Sequence, residues 1–138
     1  MPIERRNVPG LAGPPGYTHL ATVTDARLVF IAGQVPLDEH GQLIGAGDAI
    51  AQTHRCLQNL AVCLAEAGAG PEDVVRTTVY VVSEERSTLG EVWRALLDSE
   101  LSAVVRTPAT LLGVAHLGYE GQLVEIECTA AVPLTAEE

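Results

Sequence analysis

Lysine is absent from the 138-residue chain; all eight basic residues are arginines, set against 18 acidic ones for a net charge of −10. A protein that grips phosphates needs a basic stripe, so no nucleic-acid partner is expected. No apolar run approaches the ~20 residues that span a bilayer, and no basic amphipathic helix occurs, so no membrane partner is expected either. The opening MPIERRNVPG has charges with no apolar stretch behind them, which does not read as a secretory signal; the expected location is cytoplasmic. Cys56, Cys63 and Cys128 are odd in number and lack CxxC spacing, so they read as small buried hydrophobes rather than disulfides or zinc ligands. His19, His40, His54 and His116 lack metal-like spacing, and each reads as structural, His54 as a packing residue on the inner stripe of a helix. The motifs GxSxG, GxxxxGK[ST], HExxH and GxGxxG are missing, and neither a metal nor a cofactor is expected.

What is present is apolar: 47% hydrophobic residues with only 4% aromatics, and a mean hydropathy of +0.21. The length suits one domain over residues 1–138. Surface scaling leaves ~7,000 Å² exposed from ~21,000 Å² for the open chain, enough burial for a core without staples. Hydropathy this high on a small protein implies apolar surface covered by further copies, hence a homo-oligomer.

Residues 1–16 read as an N-terminal arm ending in the breaker run PGLAGPPG, and Tyr17–Thr24 with Arg27–Val35 read as a β-hairpin turning at Asp25-Ala26. A loop covers 36–47. Asp48 is a candidate N-cap for a helix carrying Ile50, Thr53/His54, Leu57, Leu60/Ala61, Leu64 and Ala67 at helical spacing, stopped by Gly68. The β-branched run Val74–Val82 predicts a central strand buried on both sides. Residues 88–101 alternate as a second amphipathic helix, and strands are expected over Ala109–Ala115 and Gln122–Val132. The order ββαβαββ predicts an α+β sandwich with both helices on one face of a mixed sheet.

Four features are candidates for chemistry. Ala32-Gly33-Gln34 ends a strand, where glycine permits either close backbone approach to a ligand or a functionless bulge. Arg106 would pair with a substrate carboxylate or lie solvated on the surface. Glu125 and Glu127, two apart in a strand, share a face, as an acid/base or water-positioning pair or as a polar outer surface. Tyr17 would close a pocket or anchor the arm.

The segments FIAGQVP (30–36), QTxxCLxNL (52–60), DVVRTTVYV (73–81), GVAxL (113–117) and LVEIECTA (123–130), in that order over residues 17–132, resemble the Rid/YjgF family of reactive-intermediate deaminases, formerly labelled endoribonuclease L-PSP or translation initiation inhibitor. The resemblance implies a chorismate-mutase-like fold, a homotrimer with a central barrel, and small-molecule sites in the clefts between subunits. It also implies a glutamate, here Glu125, that orients the attacking water, and a pocket tyrosine matching Tyr17. In the deaminating branch an arginine grips the substrate carboxylate; ungapped alignment places Ala109 there, and only a local shift would bring in Arg106 from three residues upstream. Ala32 stands where that branch often has serine, and Trp93 where it has asparagine. The pocket implied, with Ala32, Gly33, Trp93, Ala109 and Leu111, is more apolar than a carboxylate site. Two functions follow from the resemblance: hydrolysis of imines or enamines, or a non-deaminating role binding or converting another small molecule. A ribonuclease role ranks last on charge.

Overall fold

A computed structural model describes residues 2–134 of the chain; Met1 and residues 135–138, the ends of the expected arm and domain, lie outside the described residues. Two antiparallel strands, β1 (Ile3–Arg6) and β2 (Leu20–Val23), form a small ribbon. The main sheet contains β3 (Ala26–Gln34), β4 (Val74–Val82), β5 (Ala109–Val114) and β6 (Val124–Pro133) in the order β3-β6-β4-β5. Among the described strands only the β4–β5 pair is parallel, and α2 (Arg86–Asp98) makes the crossover that such a pair requires. The longer helix α1 (Ala49–Glu66) runs between β3 and β4. The architecture is the expected α+β arrangement of two helices and a mixed sheet, with one strand more than the sequence suggested.

Both helices pack on one face of the sheet. Asp48 caps α1 by accepting from the Ile50 and Ala51 amides, and Cys56, Leu57, Leu60 and Leu64 then bury against Val74, Val79, Val81, Val124, Ile126 and Cys128. Helix α2 adds Val92 and Leu96 to the same core. The opposite face is open. Strand pairing places Phe30 beside Thr129, Thr78 beside Glu127 and Thr110, and Tyr80 beside Glu125 and Leu112 on it. Phe30 is 77% exposed, Leu28 49% and Leu112 41%. The chain presents 7819 Å² to solvent, above the ~7,000 Å² that scaling gives for a compact monomer of this mass.

Several expectations are corrected. The Tyr17–Thr24/Arg27–Val35 hairpin does not form: β2 pairs with β1, whose strand character the arm reading overlooked, and β3 pairs with β6. A two-residue hairpin turn of the I′ type needs positive φ at both central residues. Here only Asp25 has it (φ 49°), Ala26 already being paired with Pro133, so the chain turns a corner instead of folding back. Strand β4 is buried on one side only, because Arg76, Thr78 and Tyr80 alternate onto the open face. The second helix starts at Arg86 and ends at Asp98, ahead of the expected 88–101. His54 is exposed rather than packed inward, and Cys63 is half-buried while Cys56 and Cys128 are buried.

Candidate functional site

The pairing of β3 with β6 slips between Ile31 and Gln34: three steps along β3 are matched by two along β6, from Cys128 to Ile126. Ala32 and Gly33 thus form a bulge, a distortion that re-aims neighbouring side chains. Glu125 uses the space this creates. A Cβ on residue 33 would collide with its carboxyl group, lying 2.7 Å from Cδ and 2.9 Å from Cγ. The carboxylate is fixed from the other side by Gln122, whose Nε2 donates to Glu125 Oε1 at 3.0 Å. Gln122 is 3% exposed and also donates to the Val124 carbonyl, while its Oε1 accepts from the Tyr119 amide. Sequence reading placed Gln122 only at the start of the last strand; nothing in its local pattern marks a partner of Glu125.

Glu127 shares a face with Glu125, as their spacing in the strand requires, but has a different partner. The Tyr80 hydroxyl donates to Glu127, and this bond to a carboxylate holds the phenol above its ordinary pKa. Phe30, Arg76, Thr78, Glu127 and Thr129 border a broad depression of about 370 Å³ on the open face.

A second concavity, about 130 Å³, lies at the other edge of the sheet, bordered by Pro15, Tyr17, Trp93, Ala109 and Leu111. Ala109 and Leu111 pair with Thr77 and Val79, whose side chains are buried beneath the helices, so this pocket opens on the helix side of β5. Trp93 on α2 donates its indole N–H to the Pro15 carbonyl at 2.7 Å and meets the Tyr17 ring edge-on, centroids 6.4 Å apart. That edge-to-face geometry suits the two ring quadrupoles. No basic side chain lines the pocket among the described residues.

Besides Glu127 at the open-face depression, eight candidate residues are placed in three locations. Tyr17, Trp93, Ala109 and Leu111 come together at the β5 edge. Gly33 and Glu125 touch, with exposed Ala32 beside them, at the end of the opposite edge strand β3 and its neighbour β6. Arg106 joins neither group. It is exposed, donating from Nε to Ser102 Oγ at 3.3 Å and from Nη2 to the Leu97 carbonyl at 3.4 Å, where it caps the end of α2. No three histidine, cysteine or acidic side chains converge as metal ligands among the described residues, and no helix there is long and apolar enough to cross a membrane.

The sequence pattern of the family described as Endoribonuclease L-PSP matches residues 12–132. The chain belongs to this family, the Rid/YjgF proteins. A Rid-family protein of Yersinia pestis, solved as a protein of unknown function, superposes with a TM-score of 0.86 at 33% identity, covering 96% of this chain and 100% of that one. A RutC family protein of Synechocystis is 32% identical over 133 residues, 95% of each chain. The human 2-iminobutanoate/2-iminopropanoate deaminase is 29% identical over 136 residues, 96% of this chain and 91% of that protein. A RutC family protein of Pyrococcus abyssi matches locally, 45% identical over 55 residues, and the chain spans 43% of its length.

Proposed function

We propose that this Rid-family protein is a homotrimer that hydrolyses small imines or enamines lacking a strict need for a carboxylate anchor, in clefts built from two copies. The observation that carries the reading is the division of the candidate residues between the two edges of one sheet. Strands β3 and β5 are three strand spacings apart, about 14 Å, and the apolar pocket and the Glu125 corner also lie on different faces. Within one chain they do not face a common substrate. A neighbouring copy that lays its β3 edge along this copy's β5 edge would bring its Glu125, Gly33 and Ala32 toward this copy's Trp93 and Tyr17, while the sheets of the assembled copies would cover Leu28, Phe30 and Leu112.

The chemistry needs a base or water-orienting group and a place for the rest of the substrate. Glu125 would hold a water against the imine carbon. The water adds to C=N, the nitrogen gains a proton, and the carbinolamine collapses to a carbonyl compound and ammonia. Relatives at 29% identity named as deaminases of 3-aminoacrylate and of 2-iminobutanoate or 2-iminopropanoate favour this reaction class. Ala109 and the tethered Arg106 argue for a different substrate: loss of a charge-assisted pair removes ~1.5–3 kcal/mol from the binding of a carboxylate. An aromatic or aliphatic group against Trp93, Tyr17 and Leu111 would supply that binding instead. The ribonuclease label finds no support in a chain of charge −10 without lysine.

The test is ammonia release from 2-aminoacrylate-type and bulkier apolar imines generated in situ by an amino-acid oxidase or lyase. Turnover of the bulky imines that disappears in Glu125→Ala and persists in Arg106→Ala supports the reading. Silence of the wild type, with turnover of 2-aminoacrylate appearing in Ala109→Arg, would favour the non-deaminating alternative, a metabolite-binding protein or an enzyme for another substrate.

A further inference from the structure

We infer that Gln122 is a positioning residue that sets the direction of the Glu125 carboxylate, resting on the reading of Glu125 as the group that holds the reacting water. The amide of Gln122 has only one orientation that satisfies its surroundings. The Tyr119 N–H, a donor, meets Oε1 at 3.1 Å, which forces the NH₂ group toward two acceptors, the Val124 carbonyl and Glu125 Oε1, each at 3.0 Å. Both amide protons are used, and the residue is buried. If Glu125 swung away, an N–H would be left without an acceptor in the interior, a penalty that holds the carboxylate in place.

The segment that carries Gln122 is itself pinned from the helix layer. Gln52 on α1, 0% exposed, donates to the Gly45 and Gly121 carbonyls at 3.1 Å and accepts from the Leu123 amide at 2.7 Å. The residues on both sides of Gln122 are thus tied to α1, and the orientation of the Gln122 amide is passed to Oε1 of Glu125. Gly33 blocks the far side of the same carboxylate. Oε1 therefore accepts from Gln122, which leaves Oε2, on the Gly33 side, as the oxygen that would hold a substrate-bound water. Water placed this way needs no search, and misplacement by about 1 Å costs on the order of 100-fold in rate.

Two measurements on the full-length protein test this. In the first, glutamine side-chain amide resonances are compared between wild type and Glu125→Ala: the Gln122 amide protons are expected to move while those of Gln52 stay, and an unmoved Gln122 pair overturns the contact. In the second, Gln122→Leu is assayed on an imine that the wild type hydrolyses. A fall in kcat of about 10- to 100-fold with KM within about twofold is expected, in protein whose urea midpoint is lowered by the stranded Tyr119 N–H and Val124 carbonyl but which is still folded under assay conditions. Wild-type rates in Gln122→Leu overturn the positioning role while leaving the proposed function standing. A wild type silent on every imine overturns that function and with it the catalytic use of the contact, so the two failures are told apart.

Discussion

Gly33 and Glu125 interlock: the glutamate carboxyl carbon lies 2.7 Å from where a Cβ on residue 33 would be. Glycine is required there by space rather than by backbone angle. Gly33→Ala is expected to push the carboxylate off the bulge, lowering imine turnover by about tenfold or more and stability by ~1–3 kcal/mol. Turnover and urea unfolding measured on the same preparation check it. Full activity in Gly33→Ala would show that the carboxylate has room the packing does not suggest.

The contact between Trp93 and the arm predicts a graded series. Trp93→Phe keeps a ring beside Tyr17 but loses the bond to the Pro15 carbonyl, an expected cost of ~1 kcal/mol. Trp93→Ala also removes the wall of the apolar pocket, so KM for bulky apolar imines should rise more than kcat falls. Equilibrium unfolding and steady-state kinetics separate the two effects.

The open sheet face predicts assembly. Phe30→Glu places a charge at its most exposed apolar side chain, and is expected to convert a trimer into monomers in sedimentation equilibrium. A monomeric wild type would contradict the covering of this face by other copies.

Burial pushes the Cys56 and Cys128 thiols up to about 12, with Glu125 adding to the first and Cys63 to the second. The sign follows directly. In the unfolded chain these thiols ionise near their ordinary value of 9.0, while the folded state keeps its protons. Their contribution to stability is therefore complete below about pH 9 and is lost as pH rises toward 12. The urea midpoint should fall above pH 9, and fall less in Cys56→Ala. At pH 8 an aromatic disulfide reagent should label half-buried Cys63 in the native protein and leave the other two until it unfolds.

The parts of the fold that local chemistry dictates were legible in the sequence. Asp48, the 3.6-residue apolar spacing and Gly68 define α1 because cap, stripe and stop act within one element. Pairing choices were not legible, since nothing within Leu20–Val23 says that its partner is Ile3–Arg6 rather than the strand that follows. The candidate site divides in the same way. Glu125 is singled out by its strand and by family likeness; of the residues expected in one pocket, Tyr17, Trp93, Ala109 and Leu111 lie together at the β5 edge, while Ala32 and Gly33 lie at the β3 edge. Gln122 was missed because its role depends on the turn that carries Tyr119 and on the helix residue Gln52, contacts that span up to 71 residues of sequence.

Mixed trimers test the central claim most directly. Glu125→Ala and a blocked-pocket variant, Ala109→Trp, are each expected to be folded and inactive on an imine that the wild type hydrolyses. Co-expressed at equal levels, they form trimers in which an intact pocket of one copy faces an intact Glu125 of another, and roughly a quarter of wild-type activity should return. No recovery from trimers shown to contain both chains would contradict a site shared between copies and place the chemistry within one chain.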